Sequence, residues 1–218
     1  MFIFGDLVSW EYKDLYFLEA KGLKRLLQAK FSLTIIAIII LYSLGNWFYT
    51  EKSESFSEPQ EALLNVEKDV LLIPAYKVEG ESLYFLIKDN QLGAAYIQEA
   101  IFGWKLGEGE IPFTSIGDRQ DYEKLSHYKV HDDFLVYGLI KNVENSIIKV
   151  NGEEAKIISL ESIFSSSEIK ENNFEGISLW YYEKFNEVLS EGKIEVFNKD
   201  TQKLTDSTDL IFEKKESL

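Results

Sequence analysis

The longest hydrophobic run in the chain covers residues 31–50, twenty consecutive positions without a charged side chain. At about 1.5 Å of rise per residue, a helix of this length reaches roughly 30 Å, the thickness of the hydrocarbon core of a bilayer. The centre of the run, residues 35–41, is apolar on every side, whereas an amphipathic core helix keeps one polar face. The pattern therefore predicts a transmembrane helix over residues 31–50, in preference to a buried helix of a soluble protein.

The charges on the two sides of this run are asymmetric. Four basic residues lie in the ten positions before it: Lys21, Lys24, Arg25 and Lys30. Three acidic residues and one basic residue follow it: Glu51, Glu54, Glu58 and Lys52. Because positive charge close to a membrane span stays on the cytoplasmic side, we expect a cytoplasmic N-terminus and an extracytoplasmic C-terminal part. Trp47 lies near the far end of the run, where an amphipathic ring suits the outer headgroup layer.

A cleaved signal peptide is the alternative interpretation of the same run. Small residues at Ser43 and Gly45 have the relative positions of a cleavage site. However, 30 residues precede the run, and it is longer than the roughly 7–15 apolar residues of a usual signal peptide. These features favour an uncleaved signal-anchor and a single-pass membrane protein.

The segments on either side of the predicted span have different compositions. In residues 1–30, leucines and other apolar residues recur at broadly helical spacing, which predicts an amphipathic helix at the membrane interface. The alternative for this segment is a docking site for a cytoplasmic partner. Residues 51–59 are polar and rich in serine, and they end in a proline, so they are expected to form a linker.

From residue 60 the chain first shows a short helical pattern to about residue 68, and then alternates with period two. The predicted strands are residues 70–78, 83–88, 94–97, 101–106, 134–141, 146–150, 153–160, 177–185, 193–198 and 203–205. Asn151-Gly152 supplies the positive φ angles of a two-residue hairpin turn. We therefore predict a mainly β fold for residues 60–212: an antiparallel domain, sandwich-like in its C-terminal half, with one short helix at its start. Whether this domain is subdivided near residues 126–133 is left open.

The composition narrows the range of possible functions. The 218 residues carry 23 basic and 37 acidic side chains, a net charge of −14. Residues 1–50 hold 5 basic and 4 acidic residues (+1), so residues 51–218 hold 18 and 33 (−15). An acidic domain is unsuited to nucleic acid, because phosphate binding needs a basic face. The absence of cysteine excludes disulfides, thiolate metal sites and cysteine nucleophiles.

Catalytic and metal-binding patterns are weak. His127 and His131 are the two histidines, and Asp132 and Asp133 follow them. On a helix, this spacing would suit Zn²⁺, but the glutamate of a zinc protease is missing, and on a strand the two rings would lie about 13 Å apart. No Gly-x-Ser-x-Gly motif is present, and Ser165–Ser167 is expected to be a loop. The sequence therefore predicts neither an enzyme, nor a metal site, nor a cofactor.

Large aromatic side chains are concentrated in two of the predicted strands. Phe102 and Trp104 would share one face of the first strand, and Trp180 and Tyr182 one face of the second. Such rings usually fill a core, but they also line binding grooves. These four residues are the candidate interaction surface.

Short stretches of the sequence resemble a family of uncharacterised exported proteins of Bacillus-type bacteria. The resemblance is carried by Phe102-Gly103-Trp104-Lys105 within residues 100–107, by Leu179-Trp180-Tyr181 and by residues 193–200. Those proteins share a hydrophobic N-terminal segment and a strand-rich C-terminal half. The resemblance implies export or membrane anchoring and a β-rich fold, and it implies no activity.

Together these patterns predict a single-pass protein of the cell membrane that presents an acidic β-rich binding domain outside the membrane. Its expected partners are the lipid bilayer and a protein at the membrane or envelope. The competing hypothesis is a transmembrane sensor whose residues 1–30 bind a cytoplasmic partner.

Overall fold

The computed structural model of the protein describes residues 31–107, 111–116, 122, 125, 128–131, 134–184, 189 and 191–211. The chain divides into two compact units, with the boundary between Glu54 and Ser55. Residues 1–30, on which the predicted interfacial helix and the four basic residues fall, lie outside the described residues.

The first unit contains one long helix, α1, at Phe31–Ser53. With 23 residues and a mean hydropathy of 1.8, it is long and apolar enough to cross a membrane. None of the residues in its apolar stretch is buried. The predicted span over residues 31–50 is thus helical throughout, and the helix continues three residues into the predicted linker.

The second unit is mainly β. Its helices are α2 (Pro59–Val66), a 3₁₀ turn (Leu160–Ser162) and α3 (Ser166–Asn172). Its strands are β1 (Leu71–Val78), β2 (Glu81–Lys88), β3 (Gln91–Ala100), β4 (Gly103–Leu106), β5 (Thr114–Ser115), β6 (Tyr128–His131), β7 (Leu135–Lys141), β8 (Ser146–Val150), β9 (Glu153–Glu154), β10 (Lys156–Ser159), β11 (Ile177–Glu183), β12 (Gly192–Asn198) and β13 (Leu204–Leu210). Every pairing among these strands is antiparallel, so the predicted antiparallel β fold is confirmed.

The first sheet has the order β1-β2-β3-β4, with β5 paired to β3. Asp89 and Asn90 join β2 to β3 with φ angles of 48° and 62°, the left-handed backbone that a tight hairpin turn needs. Helix α2 begins at Pro59, where Glu58 and Glu61 form a capping box. Its buried side chains Ala62 and Leu63 share a core cluster with residues of β2, β3 and β4.

The second sheet has the order β10-β11-β7-β6. Six of the seven residues in each of its two central strands, β7 and β11, are buried. Alternate residues of β11 contribute to two different clusters: Leu179 and Tyr181 to one that also holds residues of the first sheet, and Trp180 and Tyr182 to another. The second sheet is therefore packed on both faces.

The third sheet has the order β13-β12-β8-β9, and its buried side chains complete the cluster that contains Trp180. The predicted Asn151-Gly152 turn joins β8 to β9, with φ angles of 54° and 85°. The predicted second arm at residues 153–160 is divided between two sheets, because β9 pairs with β8 whereas β10 pairs with β11. Ala155 lies between β9 and β10, and its N–H donates a hydrogen bond to the carbonyl oxygen of Ile148 in β8.

The prediction of a loop at Ser165–Ser167 was wrong, because these residues begin helix α3. The Ser165 hydroxyl accepts a hydrogen bond from the backbone N–H of Glu168, and the Glu168 carboxylate accepts one from the N–H of Ser165. This capping box satisfies N–H groups that the first turn of a helix leaves open. Asn173 ends the helix in a left-handed conformation, with φ of 50°.

Two further regions differ in extent from the sequence prediction. The weak strand expected at residues 203–205 is the start of the seven-residue β13. The sequence predicted no strand within residues 108–133, but the described parts of this region include β5 and β6. Strand β6 pairs with β7 in the second sheet. It lies within residues 126–133, near which the sequence left a subdivision of the domain open.

Gly103 is required where the chain enters β4. Its φ of 137° is rare for other residues, and a Cβ atom there would lie 2.3 Å from the backbone oxygen of Phe56. Phe56 and Trp104 exchange two backbone hydrogen bonds of 2.9 and 2.7 Å, so the obstructing backbone is held in place. We predict that Gly103→Ala lowers the free energy of unfolding by about 2–5 kcal/mol, the sum of backbone strain and overpacking.

The matched control is Gly80→Ala. Gly80 also has a positive φ, 83°, but a Cβ atom there would meet nothing within 4 Å. Urea unfolding followed by tryptophan fluorescence should show a loss of about 1–2 kcal/mol for the control, from backbone strain alone. Equal losses for the two variants would contradict the steric explanation.

Candidate functional site

The four aromatic residues of the predicted interaction surface do not lie on one surface. Trp180 and Tyr182 are buried together in the cluster of the second and third sheets, while Trp104 is buried in the cluster beneath α2. Phe102 is half-buried in the turn before β4. Core packing thus accounts for three of the four rings. Trp47, the predicted interfacial residue, is exposed on α1.

Of the two histidines and two aspartates that formed only a weak metal-binding pattern, His131 is the one that the structure describes. It is the last residue of strand β6, and its ring stacks on that of Tyr96 with 6.1 Å between centroids. His127, Asp132 and Asp133 lie outside the described residues. Within the part of the chain that is described, no group of three or more His, Asp or Glu side chains could hold a metal ion.

A cluster of tyrosines and glutamates connects the first sheet to the second. The Tyr96 hydroxyl donates to Oε1 of Glu183 at 2.5 Å. The Tyr76 hydroxyl lies 3.1 Å from the same oxygen and 2.9 Å from Oε1 of Glu81. We call these four residues, Tyr76, Glu81, Tyr96 and Glu183, the Tyr–Glu cluster. Two of its three contacts join the first sheet to the second.

The alternation of β11 carries Glu183 into this cluster. Ile177, Leu179 and Tyr181 face the core shared by the first and second sheets, and Glu183 follows them with the same parity. On strand β3, Tyr96 has the same parity as Leu92 and Ala94, and like them it packs against that core. A carboxylate thus lies at the edge of a hydrophobic face, where it is half-buried.

A β-bulge in the edge strand β1 brings in Tyr76. The register of β1 against β2 shifts between Pro74 and Tyr76, so one extra residue, Ala75, interrupts the alternation. As a result Ala75 and Tyr76 both pack against the same core as Ile73. Pro74 has no N–H to contribute to a ladder, and proline is usual in an edge strand at such an irregularity.

Cationic and aromatic groups surround the cluster. The Lys156 ammonium lies over the Tyr76 ring at 5.5 Å and over the Tyr181 ring at 5.4 Å from their centroids, within the range of cation–π attraction. The Phe134 ring lies 5.7 Å from that of Tyr96, whose ring also stacks on His131. The cluster thus has a cation and further aromatic rings as neighbours.

The electrostatics of the cluster favour its protonated forms. Burial raises the pKa of Glu183, the bonds from Tyr96 and Tyr76 oppose that shift, and the Glu81 carboxylate adds to it. Burial, together with the neighbouring carboxylates, raises the pKa of both Tyr76 and Tyr96. Burial also raises the pKa of Tyr181 to about 12. At neutral pH the tyrosines are thus hydrogen-bond donors and not nucleophiles, and the cluster is suited to holding a proton.

Sequence reasoning missed this cluster, although one signal for it was present. The alternation through residues 177–183 places a glutamate on the buried face of a strand, which is unusual for a carboxylate. Its partners could not be found in the same way, because Tyr76 and Tyr96 are 107 and 87 residues distant in the chain.

Comparison with known proteins finds no relative of this chain. No protein-family model, curated protein or solved structure matches this chain.

We predict that Tyr96→Phe destabilises the β domain by on the order of 1–2 kcal/mol, because Glu183 loses a short hydrogen bond from a half-buried donor. The measurement is urea unfolding of the full chain in detergent micelles, followed by tryptophan fluorescence. The control is Tyr84→Phe, since the described residues offer the buried Tyr84 no hydrogen-bond partner. A loss no greater than that of the control would contradict this role for the Tyr96 hydroxyl.

Proposed function

We propose that this chain is a single-pass protein of the cell membrane, with a cytoplasmic N-terminus and an extracytoplasmic β domain that binds a partner. The observation that carries the proposal is helix α1, which exposes an apolar surface along its whole length. In water this surface would be costly, whereas the hydrocarbon core of a bilayer removes that cost. The helical backbone also satisfies its own N–H and C=O groups, as a lipid environment demands.

The orientation is supported by the charges on the two sides of α1. Lys21, Lys24, Arg25 and Lys30 precede the helix within the distance over which the positive-inside rule acts. The net charge of −15 after residue 50 is consistent with a soluble domain outside the membrane. The resemblance to exported proteins of Bacillus-type bacteria implies the same location.

Binding is proposed for the β domain in preference to catalysis. We further propose that its three sheets stack in a sandwich-like order, supported by the cluster that joins the first sheet to the second and the cluster that joins the second to the third. Tethering would hold this domain at the membrane surface and raise its effective concentration near membrane partners. The domain would thereby assist or regulate a neighbouring protein without chemistry of its own.

The absence of native cysteine allows a direct test of topology. We predict that Asp200→Cys, in the exposed turn between β12 and β13, reacts with a membrane-impermeant maleimide in right-side-out membrane vesicles. Asp6→Cys, in the N-terminal segment, should react only after the vesicles are lysed. The reverse pattern would contradict the orientation, and recovery of the Asp200→Cys chain in the soluble fraction without residues 1–45 would show that the anchor is a cleaved signal peptide.

The basic residues before α1 are predicted to determine the orientation. Replacing Lys21, Lys24, Arg25 and Lys30 together by glutamine should make Asp200→Cys inaccessible in a substantial fraction of the chains, because the charge asymmetry is lost. The control replaces Lys149, Lys156, Lys193 and Lys203 by glutamine, four lysines within the β domain. An unchanged labelling pattern in the first variant would show that another feature sets the orientation.

The second candidate function is a transmembrane sensor in which residues 1–30 bind a cytoplasmic protein. A synthetic peptide of residues 1–30 separates the two hypotheses. Saturable binding to one cytoplasmic protein, lost when the leucines of the peptide are replaced by serine, would favour the sensor. Binding to lipid vesicles alone would favour the simple anchor.

A further inference from the structure

We propose that the Tyr–Glu cluster carries one proton on Glu183, and that loss of this proton weakens the contact between the first and second sheets. The cluster would then be a pH-sensitive junction within the β domain. This inference concerns the second unit alone, and it holds whether or not α1 spans a membrane.

The first step is a count of hydrogens. The cluster contains three short oxygen–oxygen contacts: Tyr96 to Glu183 at 2.5 Å, Tyr76 to Glu183 at 3.1 Å and Tyr76 to Glu81 at 2.9 Å. Two tyrosine hydroxyls supply two hydrogens, and an ionised carboxylate supplies none. Since the single hydrogen of Tyr76 can point fully at one glutamate only, three complete hydrogen bonds require a third proton.

The second step assigns this proton to Glu183. Both tyrosine contacts of Glu183 are made to its Oε1. A proton on Oε1 can be donated to the Tyr76 oxygen while a lone pair of Oε1 accepts from Tyr96, and Tyr76 is then free to donate to Glu81. All three contacts become hydrogen bonds with one added proton. If Glu81 carried the proton, it would donate to Tyr76, and Glu183 would remain a half-buried anion beside the hydrophobic core.

The groups that face Glu183 shift its pKa in opposite directions. Tyr76 of β1, Glu81 of β2 and Tyr96 of β3 approach from the first sheet. From the second sheet, Lys156 of β10 stabilises the ionised form of Glu183, and His131 of β6 stacks on the Tyr96 ring. Tyr181 lies on the same strand as Glu183 and stays neutral. Burial and Glu81 oppose Lys156, and the net effect is a raised pKa of Glu183.

Loss of the proton removes one of the three bonds and leaves two carboxylates that compete for one hydroxyl. Because the pKa of Glu183 in the folded chain lies above that of an unfolded glutamate, protonation stabilises the fold. This stabilisation is complete below the unfolded pKa of about 4.3 and is lost as the pH rises through the folded pKa. The junction is thus tightest in acid and weaker at higher pH.

The test is an NMR titration of the full chain in detergent micelles, with ¹³C at the glutamate carboxyl carbons. The Glu183 signal is identified by its loss in Glu183→Gln, and it should titrate above the ordinary range of glutamate. In Glu81→Gln the pKa of Glu183 should fall, because the like charge is gone and the new amide can donate to Tyr76, which then donates to Glu183. The control Glu144→Gln, at an exposed turn, should leave the Glu183 titration unchanged.

A second measurement follows the stability of the junction. The loss of unfolding free energy as the pH rises through the Glu183 titration should be present in the original chain and in Glu144→Gln, and smaller in Glu183→Gln. A Glu183 that titrates at or below the ordinary range, or whose pKa does not respond to Glu81→Gln, would overturn the proposal. If Glu183→Gln fails to fold, the proposal still requires one glutamate signal that titrates above the ordinary range and shifts to lower pH in Glu81→Gln but not in Glu144→Gln, and the absence of such a signal would overturn it.

Discussion

Burial of the second sheet on both faces is the constraint on which the rest of the β domain depends. Successive side chains of a strand point to opposite faces, so β7 and β11 must be apolar at almost every position, and they are. One face shares a core with the first sheet and α3, and the other shares a core with the third sheet. The third sheet therefore depends on the second sheet for its buried face, whereas the first sheet has a further core on its opposite face, beneath α2.

The Tyr–Glu cluster is a consequence of that constraint at the end of one strand. Strand β11 continues its alternation past Tyr181, and the next position with the same parity is a glutamate. Burying a carboxylate is costly unless it accepts hydrogen bonds or takes up a proton. Tyr96 and the bulge-displaced Tyr76 supply the hydrogen bonds from the opposite sheet. The polar cluster and the hydrophobic core are therefore parts of the same sheet–sheet contact.

Local features of the sequence were enough to predict the long helix and most strands. The uncharged run over residues 31–50 and the Asn151-Gly152 turn each depend on neighbouring residues alone. The division of residues 153–160 between two sheets depends on β11, whose pairing with β10 no local pattern reveals. Helix α3 buries only Ile169, so its periodicity is weak, although its Ser165–Glu168 capping box was visible in the sequence. The cluster was beyond prediction because it needs partners from three strands.

The position of the cluster also explains how a single proton could matter to a domain of this size. A carboxyl group in the middle of the core can stay neutral up to a pH of about 8–9, and one on the surface would titrate without consequence for packing. Glu183 is half-buried at the boundary between two sheets, so its charge is costly enough to shift the pKa and accessible enough to change. Because both sheets contribute to the same hydrogen bonds, the protonation state acts on their contact and not on one strand alone.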